Sequence, residues 1–360
     1  MRKNSWTYPV EFAEDAFGED KPLLADTIRR ATGSETPRLL VVADGNVVQR
    51  SENLGRRIGR YLSAHNLAMA GAAVVIPGGE KVKADSLQSV MGVARAAMEA
   101  HLASGDALLA LGGGTILDVA GYAAAQVRGG VKLLRMPTTP AAMFDASLAT
   151  YAAVDAFGIK DALRVKSEPV AVVIDPAFAK TVLDGVWRGG FSEAVRLALV
   201  RDAALMRKLV AAAAAFRERD FGVFAELVRD TVESRRRHGA TALGEWSALR
   251  LEAMSGYKLP HGYAMAIGVL IDAAYAQLKG RFAESDRELV TKALTDCGAM
   301  DGAAHSKHLL SQSDAILAGL DAWRLANGSA AIECPVKIGK GEIDENPDRE
   351  TMKNALDLIK

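Results

Sequence analysis

Three consecutive glycines, Gly112–Gly114, join an apolar run to a long stretch of small and apolar residues. The run over residues 106–111 has the length of a buried strand, and residues 115–125 continue as a helix without a breaker. Glycine leaves no Cβ in the way of a ligand, and a helix N-terminus attracts phosphate. The turn is therefore either a tight bend or a phosphate cradle, and its spacing is not the GxGxxG dinucleotide fingerprint.

Strand and helix patterns alternate through the first half of the chain, which predicts βαβ units and a parallel sheet. The apolar runs predict strands at residues 38–43, 72–76, 106–111, 131–136 and 170–175, with helices at 22–31, 47–67 and 84–104. Ligands of parallel sheets bind beyond the carboxyl ends of the strands. Four turns fall there, at residues 44–46, 78–80, 112–115 and 138–139. Their convergence favours the phosphate or dinucleotide interpretation.

After residue 175 the pattern becomes helical, and we expect no further strand until about residues 329–333. Helices are predicted at residues 177–183, 190–205, 209–216, 224–237, 246–254 and 263–277. The chain of 360 residues is also too long for one typical core. We therefore predict an α/β domain with a parallel, Rossmann-like sheet over residues 1–180 and an all-α domain over residues 181–360.

Composition excludes several classes of function. Lys plus Arg and Asp plus Glu both number 44, so no net charge favours nucleic acid or a membrane surface. The two cysteines form no CxxC pair, which fits a reducing cytoplasm. We find no apolar run of about twenty residues and no signal-peptide core, so we expect a cytoplasmic protein without a membrane partner.

Three helical segments carry residues that suit a metal ion. Glu193 and Arg196 are three apart and share one helical face, which by itself indicates a surface ion pair. Glu245 opens a helix, where a carboxylate also stabilises the dipole, and His261 stands at a loop-to-helix corner. Two carboxylates and an imidazole suit zinc, but each residue also has a purely structural interpretation.

The ordered set of motifs resembles the 3-dehydroquinate synthase family, the sugar phosphate cyclases, over roughly residues 38–340. The pieces that carry the resemblance are PGGEKVK at 77–83, GGGTILDVAG at 112–121, RG at 128–129, PTT at 137–139, SEAVR at 192–196 and HGYAMAIG at 261–268. The resemblance implies a two-domain fold with NAD in the N-terminal domain, one zinc ion, and a homodimer.

The resemblance also implies site residues by position. The positions that match its NAD-binding residues are Asp44, Asn46, Glu80, Lys83, Gly112, Gly113, Gly114, Asp118, Thr138, Thr139 and Asp145. Thr115, at the start of the helix, either caps that helix or binds the same phosphate. The positions that match its metal ligands are Glu193, Glu245 and His261. Its catalytic positions fall on Lys160, Arg128, Asp155, Arg196 and Glu245.

The family reaction is an internal redox cycle on a phosphorylated sugar. NAD oxidises a ring hydroxyl, phosphate leaves, the hydride returns, and an aldol step closes a carbocycle. A metal ion polarises the oxidised oxygen, and basic side chains hold the phosphate. The resemblance therefore implies NAD, a divalent metal ion and a small phosphorylated sugar as cofactors and substrate.

The sequence departs from the family pattern among the site positions from Tyr151 to His261, which we call the second half-site. The family's GHxxxH motif is replaced, with Glu245 in place of the zinc histidine and Leu249 in place of the second histidine. A loop lysine becomes Tyr151, and two asparagines become Asp155 and Asp161. These changes lower the local charge by about four units, which disfavours a dianionic phosphate unless a metal or an altered substrate compensates.

Three functional hypotheses follow from this pattern. The first is a divergent sugar phosphate cyclase that uses bound NAD on a heptulose phosphate, and the intact NAD-side residues favour it. The second is a catalytically silent NAD-binding paralogue, which the loss of the GHxxxH histidines favours. The third is a metal-dependent polyol dehydrogenase, to which Gly112–Gly114, Glu193 and His261 together fit less well.

Overall fold

The computed structural model describes residues 6–79, 82, 86–127, 129–156, 159–302 and 308–360. Three residues with predicted roles, Glu80, Lys83 and Arg128, lie outside the described residues. Contacts divide the chain into two compact units, Trp6–Val182 and Leu183–Lys360. We describe each unit by itself.

The N-terminal unit alternates strands and helices, as its hydrophobic pattern predicts. Its elements are β1 (Val10–Phe12), α1 (Leu23–Thr32), β2 (Arg38–Asp44), α2 (Gly45–Arg50), α3 (Leu54–Ala64), β3 (Ala68–Met69), β4 (Val74–Ile76), α4 (Ser86–Glu99), β5 (Ala107–Gly112), α5 (Gly114–Gln126), β6 (Lys132–Pro137), α6 (Pro140–Phe144), β7 (Tyr151–Ala156), β8 (Ile159–Lys166) and β9 (Ala171–Ile174). Short 3₁₀ turns follow at Ala146–Leu148 and Pro176–Thr181.

A parallel sheet forms the centre of this unit, in the order β1-β9-β6-β5-β2-β3, with β4 also paired to β2. Strand β5 is buried along its whole length, because helices cover both faces of such a sheet. Its residue Leu111 pairs with Ala43 on one side and Met136 on the other. The predicted parallel, Rossmann-like sheet is confirmed.

Several local features of this unit differ from the predictions: strands β1 and β3 were not expected, and the helix predicted at residues 177–183 is the 3₁₀ turn Pro176–Thr181. The helix predicted over residues 47–67 is two helices, α2 and α3, because Asn53 between them takes a left-handed backbone with φ of 53°. The antiparallel hairpin β7–β8 was not predicted. Its strands carry charged residues such as Asp155 and Lys160, so neither strand forms the continuous apolar run by which the other strands were predicted.

The C-terminal unit is mainly helical, as predicted. Its described elements are α7 (Asp184–Arg201), α8 (Ala203–Arg217), α9 (Phe221–His238), α10 (Glu245–Met254), α11 (His261–Leu278), α12 (Glu284–Asp296), α13 (Ser313–Asn327), β10 (Ile332–Lys337), β11 (Lys340–Asp344) and α14 (Arg349–Leu358). The term all-α is too narrow for it. The single strand expected near residues 329–333 is β10, which pairs antiparallel with β11.

Helix α11 lies at the centre of this unit and is buried from Gly262 to Ala276. Its backbone touches two other segments through glycines. A Cβ built on Gly262 would lie 2.2 Å from the carbonyl oxygen of Gly189 in α7, and a Cβ on Gly268 would lie 2.3 Å from that of Gly244. These contacts admit no side chain, so they fix α11 against α7 and against the residue before α10. In the part of the chain that the structure describes, no helix combines the length and hydropathy needed to cross a bilayer.

We expect Gly268→Ala to lower the free energy of unfolding by about 1–3 kcal/mol, because the new methyl group forces the Gly244 backbone away. Chemical denaturation of the two purified proteins measures this difference. The matched control is Gly185→Ala in α7, whose new Cβ meets Tyr263 at an ordinary 3.5 Å. Equal stabilities for Gly268→Ala and Gly185→Ala would contradict the close contact.

Candidate functional site

The predicted nucleotide-binding turns lie at the carboxyl edge of the sheet. Strands β4, β2, β5 and β6 are neighbours and run parallel, so their final turns share one edge. Asp44 ends β2 and caps α2, since its Oδ1 accepts the N–H of Asn46 at 2.8 Å. Gly78 follows β4, and a Cβ there would lie 2.2 Å from Asn46 Nδ2. The turns after β2 and β4 are therefore in direct contact.

The glycine turn forms the middle of this edge. Gly113 caps α5 in extended conformation, and a Cβ on Gly112 would lie 2.6 Å from the Ile116 side chain. The N–H of Thr138 donates to Gly112 O at 3.0 Å, and a Cβ on Gly113 would lie 3.1 Å from Thr139 Cγ2. The turn is a narrow cradle without side chains at the N-terminus of a helix. Its shape and polarity fit a pyrophosphate.

Other residues predicted on the NAD side have contacts within the protein. Thr139 caps α6, since its Oγ1 accepts the N–H of Ala142. Asp118 Oδ1 accepts the N–H of Ala153 at 3.3 Å, which joins α5 to the hairpin. Thr115 is buried in the first turn of α5, and Asp145 lies between α6 and the next 3₁₀ turn. The roles of these four residues toward NAD remain predictions.

Two predicted catalytic residues lie on the β7–β8 hairpin. Asp155 and Lys160 are both buried, with 6% and 8% of their surfaces exposed. Asp155 Oδ1 accepts the N–H of Asp161 at 2.9 Å, and Asp161 has a φ of 53°. The hairpin thus carries a buried carboxylate and a buried ammonium group. Their catalytic role remains a prediction.

In the C-terminal unit, His261 lies between two carboxylates. It begins α11, and its Nε2 is 3.0 Å from Glu193 Oε1 of α7. Its Nδ1 is 2.8 Å from Glu252 Oε1 of α10. Glu252 is fully buried and Glu193 nearly so. Three helices therefore converge on one imidazole.

Arg196 and Glu245 extend this cluster. Arg196 Nε donates to Glu193 Oε2 at 2.6 Å, and its Nη1 is 3.6 Å from Glu245 Oε1. The predicted ion pair between Glu193 and Arg196 exists, but both side chains are at most 3% exposed, so it is not a surface pair. Glu245, a predicted metal ligand, lies against Arg196.

The sequence analysis missed two members of this region, Glu252 and Asp272. Glu252 lies seven residues after Glu245 on the same helix, close to the C-terminus, where the helix dipole disfavours a carboxylate. That position was a signal that Glu252 has a specific partner. Asp272 of α11 is fully buried and accepts the N–H of Gly244 at 2.7 Å and the Trp246 Nε1–H at 2.8 Å. It therefore fixes the residues on both sides of Glu245.

The donor atoms at His261 supply two members of a ligand set for a divalent metal ion. Glu193 Oε1 and His261 Nε2 face each other, and Glu252 holds the ring from its other nitrogen, as carboxylates do for metal-bound histidines. Among the described residues, no three His, Cys, Asp or Glu side chains are grouped so that they could hold an ion. Glu193 and His261 thus fit as two ligands, while Arg196 contacts Glu245, the predicted third.

Charges within the cluster shift its titration. Loss of solvent around His261 lowers its pKa, but Glu252 and Glu193 outweigh this and raise the pKa well above 6.5. Burial raises the pKa of Glu193, but Arg196 and His261 bring it well below its ordinary value. Burial raises the pKa of Asp272 to about 7, despite its two N–H donors. Because its pKa is lowered by Arg196 and His261, Glu193 is ionised at neutral pH.

Comparison with known proteins now identifies the family. Residues 73–188 match the family model for the N-terminal part of 3-dehydroquinate synthase, and residues 190–312 match that for the C-terminal part. The chain belongs to the 3-dehydroquinate synthase family. It is 28% identical to the 2-epi-5-epi-valiolone synthase of Streptomyces glaucescens, over 98% of this chain and 91% of that protein. The resemblance given by the motifs is confirmed.

Solved structures from this group have the same fold. A 2-epi-5-epi-valiolone synthase from Streptomyces hygroscopicus subsp. jinggangensis, with NAD⁺ and Zn²⁺ bound, aligns with a TM-score of 0.83 and 22% identity over 98% of this chain and 97% of that one. A 2-deoxy-scyllo-inosose synthase, complexed with carbaglucose-6-phosphate, NAD⁺ and Co²⁺, aligns with a TM-score of 0.76 and 18% identity. The latter alignment covers 96% of this chain and 95% of that one.

The raised pKa of Asp272 predicts a pH-dependent stability. The folded protein binds this proton more tightly than the unfolded chain, whose Asp pKa is about 3.9. The stabilisation is complete below about pH 4 and is lost as the pH rises to about 7. We expect the stability of the native protein relative to Asp272→Asn to be lower at pH 8 than at pH 5, by about 2 kcal/mol.

Urea denaturation of both proteins at the two pH values measures this difference. Other titrating groups contribute equally to both proteins and cancel in the comparison. A difference between native and variant protein that stays constant from pH 5 to pH 8 would contradict the raised pKa of Asp272.

Proposed function

We propose that this member of the 3-dehydroquinate synthase family is a divergent sugar phosphate cyclase that uses bound NAD and a divalent metal ion on a heptulose phosphate. The observation that carries the proposal is His261 Nε2 facing Glu193 Oε1 at 3.0 Å, with Glu252 behind the ring. A structural histidine does not need two buried carboxylates from two different helices. The cradle at Gly112–Gly114 supplies the cofactor side.

The side chains and backbone of this chain have separate tasks in the proposed reaction. When bound, NAD would supply a reversible hydride acceptor and the divalent ion would supply a Lewis acid. The glycine turn holds the pyrophosphate with backbone N–H groups. Glu252 orients the His261 ring, and Glu193 and His261 present the donor atoms. Asp272 fixes the start of α10 and thereby the position of Glu245.

The charge of the second half-site favours a particular substrate class. Tyr151, Asp155, Asp161 and Glu245 stand where the family pattern has lysine, asparagine or histidine. A substrate that bears a carboxylate as well as a phosphate is repelled more strongly by such acidic replacements. We therefore infer that a heptulose phosphate without a carboxylate is preferred. A homodimer and a cytoplasmic location, which the sequence led us to expect, remain predictions.

We expect the protein, supplied with NAD⁺ and a divalent ion, to release inorganic phosphate from sedoheptulose 7-phosphate. Release from 3-deoxy-arabino-heptulosonate 7-phosphate, which carries a carboxylate, should be slower by about tenfold or more. A phosphate assay with both substrates measures this ratio, and His261→Ala serves as the inactive control. Faster release from the carboxylate substrate would contradict the charge argument.

Two other outcomes of the same assay identify the alternatives. Net NADH formation without phosphate release indicates the polyol dehydrogenase. NAD binding without turnover of either substrate indicates the catalytically silent paralogue. Either result would overturn the cyclase proposal.

The glycine cradle gives a direct test of the cofactor. We expect Gly114→Asp to weaken NAD⁺ binding by about tenfold or more, because its carboxylate repels the pyrophosphate at the helix N-terminus. The helix itself tolerates an acidic first turn, so the fold should be retained. Isothermal titration calorimetry measures the Kd.

The matched control is Gly114→Ala, whose Cβ meets Ala146 at an ordinary 3.4 Å. It adds bulk without charge and should bind NAD⁺ more tightly than Gly114→Asp. If Gly114→Asp bound NAD⁺ with an unchanged Kd, the proposed placement of the pyrophosphate at this turn would be wrong.

A further inference from the structure

Arg196 is a buried cation that contacts two carboxylates. Its Nε donates to Glu193 Oε2 at 2.6 Å, and its Nη1 is 3.6 Å from Glu245 Oε1. The same Nη1 donates to the carbonyl oxygen of Thr241 at 3.2 Å, just before α10. Only 3% of the Arg196 side chain is exposed. The guanidinium is therefore held by Glu193 of α7, by the carbonyl oxygen of Thr241 in the loop before α10, and by Glu245, the first residue of α10.

Glu193 divides its two oxygens between two partners. Oε1 faces His261 Nε2, and Oε2 accepts from Arg196. A metal ion bound by Glu193 and His261 would thus share a carboxylate with a guanidinium. Glu245, the third carboxylate that the sequence offers as a ligand, contacts the same guanidinium. Arg196 therefore bonds one oxygen of Glu193 and lies close to Glu245, so it neutralises both carboxylates that the ion would use.

We propose that Arg196 is an internal cation that competes with the divalent metal ion for Glu193 and Glu245, and so sets how tightly the site binds metal. This inference rests on the metal site of the proposed function. Two cations a few ångströms apart in a buried site repel each other strongly. Metal binding therefore requires Arg196 to give up Glu245 and to share Glu193. The loss of those contacts makes the free energy of metal binding less favourable and so weakens the affinity for the ion.

The contact between His261 and Glu252 is separate from this competition. Glu252 holds Nδ1 at 2.8 Å, on the side of the ring away from Glu193. The ring is therefore oriented whether Arg196 or a metal ion neutralises Glu193. Removal of the guanidinium alone should leave the orientation of the His261 ring unchanged.

The experiment uses metal-free protein prepared by chelation and titrated with Zn²⁺ and, separately, Mn²⁺ in a calorimeter. We expect Arg196→Gln to bind at least one of these ions about tenfold more tightly than the native protein, and neither more weakly. Arg196→Lys keeps the positive charge, so its Kd should lie closer to that of the native protein. Arg188→Gln removes the same charge from a partly exposed position of α7, where Arg188 pairs with Asp301, and should not change the Kd.

Each outcome decides the proposal. Equal or weaker metal binding by Arg196→Gln would overturn it, because Arg196 would then support the ion or have no influence. An Arg196→Gln protein that folds only with metal supports it, since the ion replaces the guanidinium. One that folds in neither condition overturns it.

The proposed function fails separately from this inference. If neither native protein nor Arg196→Gln binds metal, both the metal site and the competition are refuted. If the native protein already binds as tightly as Arg196→Gln, the metal site remains and only the competition is wrong. NAD⁺ affinity, measured on the same samples, reports the cofactor site in the other unit.

Discussion

The close backbone contacts of α11 are the constraint on which the C-terminal unit depends. Gly262 against Gly189 and Gly268 against Gly244 leave no space for a Cβ, so α11 can approach α7 and the start of α10 only through glycines. This approach brings His261 to Glu193. It also lets Asp272 accept the N–H of Gly244, the residue before Glu245. The fold and the candidate site are therefore consequences of the same contacts.

The candidate site is a buried cluster of opposite charges, which is costly unless every charge has a partner. Here His261 is paired with two carboxylates, and Arg196 is paired with two as well. Such a cluster contributes little to stability compared with apolar packing of the same volume. The same chain carries a glycine turn that fits a pyrophosphate in its N-terminal unit, and the two features together support a catalytic function over a structural one.

The sequence was sufficient for the central strands of the sheet and for most helices, because β5 is a short apolar run and α11 is a long, mainly apolar segment without a breaker. It also located Glu193, Arg196 and His261 through the family motifs. It could not reveal the β7–β8 hairpin, whose strands carry charges, or the partnership of Glu252 with His261. The hairpin lacks the apolar run by which the other strands are recognised, and the Glu252–His261 contact joins side chains on two helices, for which local pattern carries no signal.

The proposed cyclase reaction requires NAD⁺ to accept a hydride from the substrate and to return it in the same turnover. The most direct test uses sedoheptulose 7-phosphate with deuterium at the ring carbon that is oxidised, together with unlabelled NAD⁺ bound to the protein. Our account predicts a phosphate-free carbocyclic product that retains the deuterium, with no net formation of reduced cofactor. An oxidised sugar phosphate with the deuterium on the released cofactor would contradict the account and would identify the protein as a dehydrogenase.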